Sequence, residues 1–82
     1  METLLDVVEV RATEDYKLYL KFENGERRVF DMSPYLAKKP FLKLHGSPLF
    51  LLAKVDYGTV VWPGNVDIAP ETLYLYSKPW VE

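Results

Sequence analysis

Apolar and polar residues alternate in the first half of the chain. Every second residue of the stretch 16–23 is apolar: Tyr16, Leu18, Leu20 and Phe22. A period of two indicates a strand with one face in the core and one face in water. The earlier stretch 5–11 is rich in valine, which favours strands. We therefore predict strands at 5–11, 16–23 and 26–32.

The dipeptide Asn24-Gly25 predicts that the second and third strands form a hairpin. A two-residue loop would place Glu23 opposite Glu26, and like charges directly opposite each other are unfavourable. A three-residue loop, Asn24-Gly25-Glu26, pairs Glu23 with Arg27 instead. We predict this loop with a bulge, because a slip of one residue would turn the apolar set to the other face.

Two Ser-Pro pairs follow, Ser33-Pro34 and Ser47-Pro48, and each is a helix-start signal with the serine as N-cap. The first pair predicts a single helical turn over 35–37. The second predicts a short helix over 49–54, which we expect to be buried because it is apolar on nearly every side. The apolar side chains that we expect to fill the core from the irregular segment between the pairs are Phe41, Leu42 and Leu44.

The C-terminal third predicts more strand and one helix. Residues 55–62 form a strand with Gly58 as a bulge or turn, and 66–68 form a shorter strand after a tight turn. Pro70 opens the last helix and Pro79 ends it, which leaves 78–82 as a tail. The helix residues that we expect to face inward are Leu73, Tyr74 and Tyr76.

These elements predict one α+β domain covering residues 1–82. The order is β-β-β, short helices, β-β, α. Short connections between successive strands favour an antiparallel sheet with the short helices packed on one face.

Composition narrows the functional classes. The chain has 82 residues, no cysteine and a net charge of −2. Without cysteine there is no disulfide framework or thiolate metal site. The first residues lack a signal-peptide pattern and no run is long enough to span a bilayer, so we expect residence in the cytoplasm and no membrane contact. The acidic balance argues against a general electrostatic grip on nucleic acid by direct contact.

No pattern predicts a catalytic centre, and we expect no enzyme activity, cofactor, metal or small-molecule site. His45 is the single histidine and lies beside Gly46, which is typical of a surface loop. Three carboxylates, Asp56, Asp67 and Glu71, could do acid–base work or hold a divalent cation. The simpler interpretation is that Asp67 caps the last helix and Glu71 complements its dipole.

Basic and aromatic residues give two candidate surfaces. The hairpin carries a candidate basic face: Lys17, Lys21, Arg27 and Arg28. Its alternative is an ordinary solvated face whose lysines discourage edge pairing. The chain also holds six Tyr, four Phe and two Trp, more than so small a core can bury completely. The candidate interaction residues are Tyr19, Tyr35, Tyr57, Trp62 and Trp80, with Tyr57 and Trp62 as the strongest anchors; the alternative is that they cap the rim of the core.

Two blocks of residues resemble a known family. The first block is Leu18-x-Leu20-x-Phe22-x-Asn24-Gly25-Glu26, then Phe30-Asp31-x-x-Pro34-x-Leu36. The second is Val55-Asp56-Tyr57-Gly58-Thr59-Val60-Val61-Trp62-Pro63, then Asp67-Ile68-x-Pro70-Glu71-x-Leu73-Tyr74. Together, over residues 5–74, they resemble the small bacterial proteins of domain of unknown function 2442. The chain departs from the family at Gly64-Asn65, where Asn-Gly is usual.

The resemblance implies an α+β fold with an antiparallel sheet and no known catalytic residues. Some relatives carry a helix-turn-helix domain, and others resemble one half of a toxin–antitoxin-like pair. No such domain follows in these 82 residues, so we expect any DNA contact to come through a partner. The first hypothesis is therefore a module that binds a small partner protein or itself. The second is a nucleic-acid-associated regulator, and the third is an enzyme that uses the three carboxylates.

Overall fold

The computed structural model describes residues 5–80, and the protein forms two antiparallel sheets within them. The strands in chain order are β1 (Val7–Ala12), β2 (Lys17–Phe22), β3 (Arg27–Asp31), β4 (Lys54–Asp56), β5 (Thr59–Trp62), β6 (Val66–Ile68) and β7 (Lys78–Pro79). The helix α1 (Pro70–Leu75) precedes β7, and three 3₁₀ segments separate β3 from β4: Ser33–Tyr35, Phe41–Leu44 and Pro48–Leu52. The first sheet has the order β1-β2-β3-β7 and the second has the order β4-β5-β6.

The α+β class with antiparallel pairing and short helical segments is confirmed. The chain builds two sheets where a single sheet was predicted, because β5 pairs with β4 and β6 rather than with a strand of the first sheet. The predicted strand at 55–62 folds back on itself and forms β4 and β5. Tyr57 and Gly58 both have positive φ, and they form a two-residue turn between β4 and β5. None of the helices among residues 5–80 is long and apolar enough to cross a bilayer.

The β2–β3 hairpin has a three-residue loop, but the predicted loop residues and register are wrong. The loop is Glu23-Asn24-Gly25, and the amide of Phe22 donates to the carbonyl of Glu26 at 2.9 Å. Gly25 has φ +89, so it takes the left-handed position that closes such a loop, which glycine adopts more easily than glutamate does. Lys21 therefore faces Arg27, although both are cations.

Both sheets and the 3₁₀ segments contribute to one core. Leu18, Leu20 and Phe22 are buried, as their alternation predicted, while Phe41, Leu44 and Phe50 enter from the 3₁₀ segments. Two expectations for those segments are wrong. Leu42 is exposed, and the helix predicted at 49–54 is a 3₁₀ segment that ends at Leu52 and leaves Leu51 and Leu52 in solvent. Because this 3₁₀ segment is short, a single large side chain, that of Phe50, reaches the core from it.

The first and third 3₁₀ segments begin with different side-chain hydrogen bonds. The Ser47 hydroxyl accepts a bond from the amide of Leu49 at 3.1 Å, so its predicted capping role is confirmed. The predicted cap at Ser33 is wrong, because Asp31 accepts from the amide of Ser33 at 2.9 Å and closes the turn. That backbone bond holds the pKa of Asp31 below its usual value.

The predicted tail is a strand. Lys78 and Pro79 pair with Val29 and Arg28 of β3, and the amide of Trp80 donates to the carbonyl of Arg27 at 2.9 Å. Residues 81 and 82 of that tail lie outside the described residues. Tyr76, expected to face inward, is 69% exposed because α1 ends one residue before it.

Arg28 attaches this C-terminal segment to the sheet. Its Nε donates to the Ser77 hydroxyl at 2.6 Å and its Nη2 donates to the Ser77 carbonyl at 2.8 Å. The guanidinium also lies 4.7 Å from the ring centre of Tyr74 and 3.6 Å from a Glu26 carboxylate oxygen. That carboxylate raises the pKa of the Tyr74 hydroxyl. One side chain thus joins β3, α1 and the segment that leads into β7.

Replacing Arg28 with alanine should lower the free energy of unfolding by about 2–3 kcal/mol, because two charge-assisted bonds are lost and Ser77 is buried. Urea denaturation measures the loss. Arg27→Ala is the matched control, since Arg27 is an exposed neighbour, and it should cost less than about 1 kcal/mol. Equal effects of the two substitutions would contradict the anchoring role of Arg28.

Replacing Trp62 with phenylalanine should lower the free energy of unfolding, measured by urea denaturation, by about 1–3 kcal/mol. The indole of Trp62 is 2% exposed, donates to the carbonyl of Phe50 at 3.0 Å and stacks on the Phe50 ring with centres 5.9 Å apart.

The Trp80→Phe variant retains Trp62 as its single tryptophan, so its emission should be blue-shifted and resistant to quenching by acrylamide. Efficient quenching in that variant would show that Trp62 is accessible to solvent.

Candidate functional site

The solvent-facing side of the four-stranded sheet brings together cationic and aromatic side chains. Arg11 of β1 lies opposite Tyr19 of β2, and Lys21 of β2 lies opposite Arg27 of β3. Trp80, directly after β7, is bonded through its amide to the carbonyl of Arg27. We call these five residues the basic aromatic face. All five line one shallow cavity of about 240 Å³.

The rings and guanidinium groups of this face contact one another. The Tyr19 and Trp80 rings are 5.1 Å apart at a 73° angle, an edge-to-face pair. The guanidinium of Arg11 lies 4.9 Å from the ring centre of Tyr19, and that of Arg27 lies 5.9 Å from the ring centre of Trp80. Each arginine is therefore oriented by an aromatic ring, which limits the conformations open to a long side chain.

Positive charge predominates on the basic aromatic face. Its three cations share the cavity with one carboxylate, that of Glu9. Lys17 lies on the same side of β2, but its ammonium is 3.3 Å from Asp15. The bond to Asp15 raises the pKa of Lys17, while bonds from Thr13 and Lys17 lower the pKa of Asp15. The charge of Lys17 is therefore offset locally. The excess on the face rests on Arg11, Lys21 and Arg27, and it is reduced by Glu9, which lies opposite Lys21 on β1.

The structure brings three of the four residues of the predicted basic face to one side of the sheet and places the fourth on the opposite side. Lys17, Lys21 and Arg27 share a side of the sheet, as the strand alternation requires. Arg28 follows Arg27 directly, so it points to the opposite side, where its side chain is 17% exposed and bonded to Ser77. Its role in this structure is attachment of the C-terminal segment.

The sequence does not assign two residues, Arg11 and Trp80, to this face, although Trp80 is among the candidate interaction residues. Arg11 is in phase with Tyr19, but a bulge between Val7 and Glu9 interrupts the alternation along β1. Trp80 was placed in a tail, because a strand of two residues, one of them proline, has almost no sequence pattern. The large apolar ring of Trp80 is the signal that could have predicted its position on the sheet, because packing on another aromatic ring removes apolar surface from water.

A second exposed feature is the β4–β5 hairpin, with Tyr57 at its tip. The Tyr57 side chain is 91% exposed and its backbone has φ +53. It lines a cavity of about 550 Å³ together with Leu52 of the third 3₁₀ segment and with Val61, Asp56 and Asp67 of the second sheet. We call these five residues the Tyr57 surface.

The other candidate aromatic residues are less accessible. The prediction that Trp62 is an exposed anchor is wrong, because alternation along β5 turns its indole into the core beside Phe41 and Phe50. Tyr35 is partly buried, with its ring 5.3 Å from Phe30 and the Lys38 ammonium 5.6 Å from its centre. Tyr35 therefore belongs to the rim of the core.

The three candidate carboxylates do not form a single site. Asp56 and Asp67 line the same cavity, whereas Glu71 lies outside that lining in the first turn of α1. Asp67 does not cap α1 as predicted, since Ala69 is the N-cap residue and no side chain bonds there. Among residues 5–80, no group of three or more His, Asp or Glu residues is placed to hold a metal ion.

His45 is a surface residue, as predicted. Its exposed ring lies 5.8 Å from the ring of Tyr16, whose hydroxyl accepts a bond from the amide of Gly46 at 2.8 Å. Tyr16 has φ +67, and the contact with Phe50 fixes its ring against the core. These contacts explain His45 and Gly46 as parts of the loop structure.

Comparison with known proteins places the chain in a family. No curated protein and no solved structure matches it. The profile described as "Protein of unknown function (DUF2442)" matches residues 7–79, nearly the whole chain. The resemblance noted in the sequence is thereby confirmed, and this chain belongs to the DUF2442 family.

Proposed function

We propose that the protein is a non-catalytic protein-interaction module whose contact is centred on Tyr57. The observation that carries this proposal is the 91% exposure of a tyrosine held in left-handed backbone at a hairpin tip. Tyrosine is enriched at binding hot spots, where its rigid ring supplies large contact area with little loss of conformational freedom.

The backbone of Tyr57 supports a role beyond folding. Tyr57 and Gly58 form the kind of two-residue turn in which Asn-Gly is preferred, because both positions need positive φ. Tyrosine at the first position costs on the order of 1 kcal/mol. A ring that is 91% exposed offsets little of that cost by packing. Residues held in costly backbone conformations concentrate at functional sites.

The Tyr57 surface indicates the chemistry of the partner. Leu52 is exposed and Val61 is half-exposed beside Tyr57, so the surface combines an aromatic residue with aliphatic ones. The carboxylates of Asp56 and Asp67 flank it and outnumber the cation of Lys54 in the same lining. A complementary partner therefore offers an apolar pocket for the Tyr57 ring with basic side chains at its edge.

A different protein fits this surface better than a second copy of the chain. A symmetric dimer uses the same patch on both subunits. It would bring together two copies of a lining in which the carboxylates of Asp56 and Asp67 outnumber the cation of Lys54, and like net charges across an interface are unfavourable. We therefore assign the contact to a small partner protein and treat self-association as the competing outcome.

A second candidate function is a nucleic-acid-associated regulatory role. The basic aromatic face supports it, with Arg11 in the position first assigned to Arg28. This surface shares no residue with the Tyr57 surface, so the two proposals are tested independently.

Replacing Tyr57 with asparagine should stabilise the fold while weakening partner binding. Asparagine suits the left-handed position, so the free energy of unfolding should rise by about 0.5–1 kcal/mol in urea denaturation. Loss of a hot-spot tyrosine should weaken binding by about 30-fold or more, corresponding to roughly 2 kcal/mol. Because the variant is more stable, weaker binding cannot be attributed to unfolding.

The full chain is used to capture the partner from an extract of the native cell, and mass spectrometry identifies it. The purified partner is then titrated by calorimetry against the wild type and each variant. Tyr76→Asn is the matched control, since Tyr76 is an exposed tyrosine outside the Tyr57 surface, and it should bind as the wild type does. Equal affinities of the two variants would refute the proposal. Light scattering that shows a wild-type dimer disrupted by Tyr57→Asn would replace the small partner with a second copy.

A further inference from the structure

We propose that the basic aromatic face binds single-stranded nucleic acid. Bases stack on the Tyr19–Trp80 pair, and phosphates contact the cations that surround it. The inference does not depend on the Tyr57 surface.

The aromatic pair supplies a stacking platform on the side of the sheet that carries Arg11, Lys21 and Arg27. Tyr19 and Trp80 are both partly exposed, and their rings contact each other at 5.1 Å. Base stacking on such rings tolerates any sequence, because every base has a π-face. The guanidinium of Arg11 over the Tyr19 ring extends the platform, since bases also stack on guanidinium planes.

The cations lie where a nucleotide chain on this platform would carry its phosphates. Lys21 is two residues from Tyr19 along β2, and Arg11 lies opposite Tyr19 on β1. Neighbouring strands are about 4.8 Å apart and same-side residues about 6.6 Å apart, so both cations lie within one nucleotide of the ring. Arg27 holds the same relation to Trp80, with its guanidinium 5.9 Å from the ring centre.

The combination of rings and cations favours a nucleic acid over an acidic peptide. An acidic peptide needs the cations but gains little from a stacking pair, whereas a single strand uses both. The shape favours a single strand over a duplex. The face is a shallow cavity of about 240 Å³ whose residues lie across β1, β2 and β3 and on Trp80, so the contact surface is a sheet rather than a helix that enters a groove.

The expected binding is weak and salt-dependent. Three cations that neutralise three phosphates of a single strand give a slope of about −2 for log K against log salt. The Glu9 carboxylate in the same cavity and the chain's net charge of −2 oppose tighter binding. We expect a dissociation constant on the order of 10⁻⁵ M at low salt.

Fluorescence anisotropy with a labelled oligothymidylate of about twelve nucleotides tests the proposal on the full chain. Tyr19→Leu keeps an apolar strand residue but removes the ring, and it should weaken binding about fivefold or more. Arg27→Gln should weaken binding and lower the salt slope by about 0.7. Lys54→Gln removes the same charge from β4, outside the face, and should change the affinity less than about twofold.

The stability of every variant is checked by urea denaturation, so that a loss of binding is compared only among folded proteins. Tryptophan emission adds a second readout. The oligonucleotide should quench the wild type, and this quenching should disappear in Trp80→Phe, because Trp62 is buried. Retention of binding by the Tyr57→Asn variant would keep this site separate from the protein-interaction surface.

Three results would overturn the proposal. The first is no binding of the wild type at low salt. The second is duplex DNA binding as tightly as the single strand, which would exclude recognition of unstacked bases. The third is oligoglutamate competing as well as the oligonucleotide while Tyr19→Leu binds normally, which would make the face a general anion site.

Discussion

The bonds between Arg28 and Ser77 attach the C-terminal segment, from Ser77 to Trp80, to the four-stranded sheet. Arg28 lies on the inner side of β3 with its guanidinium nitrogens 2.6 and 2.8 Å from two oxygens of Ser77. Charge-assisted bonds of this kind are about twice as strong as neutral ones. Because they fix Ser77, the next residues pair with β3 and Trp80 reaches the outer side beside Tyr19. The basic aromatic face therefore depends on an inward-facing cation that is not part of it.

Two neighbouring residues of β3 show how a shift of one position places the same side chain in different surroundings. Arg27 and Arg28 are chemically identical, yet alternation turns one to solvent and the other to Ser77. The aromatic residues are divided in a similar way. Trp62 bonds to the carbonyl of Phe50 inside the core, whereas Trp80 remains partly exposed beside Arg27. Residue type alone therefore cannot assign either pair to core or surface.

Alternation made β2 predictable, because a period-two pattern reflects burial directly, while valine content predicted β1 and the Asn-Gly turn predicted β3 as its hairpin partner. The register was harder, since it depends on which loop residue takes positive φ, and Gly25 rather than Glu26 does so. The sequence left a bulge and a turn open at Gly58 and did not separate β4 from β5, because Tyr57 occupies a turn position that asparagine usually fills. Trp80 could not be placed from local pattern, because its position depends on the long-range contact between Arg28 and Ser77.

Net charge is a property of the chain, whereas binding depends on the charge that a ligand meets. The chain carries −2 overall, which argues against a general attraction for nucleic acid. Arg11, Lys21 and Arg27 nevertheless share their cavity with one carboxylate, and Asp56 and Asp67 line a different cavity on the other sheet. At physiological salt, charges act over about 8 Å, so a ligand on the face responds mainly to the nearest groups. An acidic protein can therefore present a basic surface. Aromatic rings that hold the arginine side chains in place favour such a surface, because they keep the few cations close together.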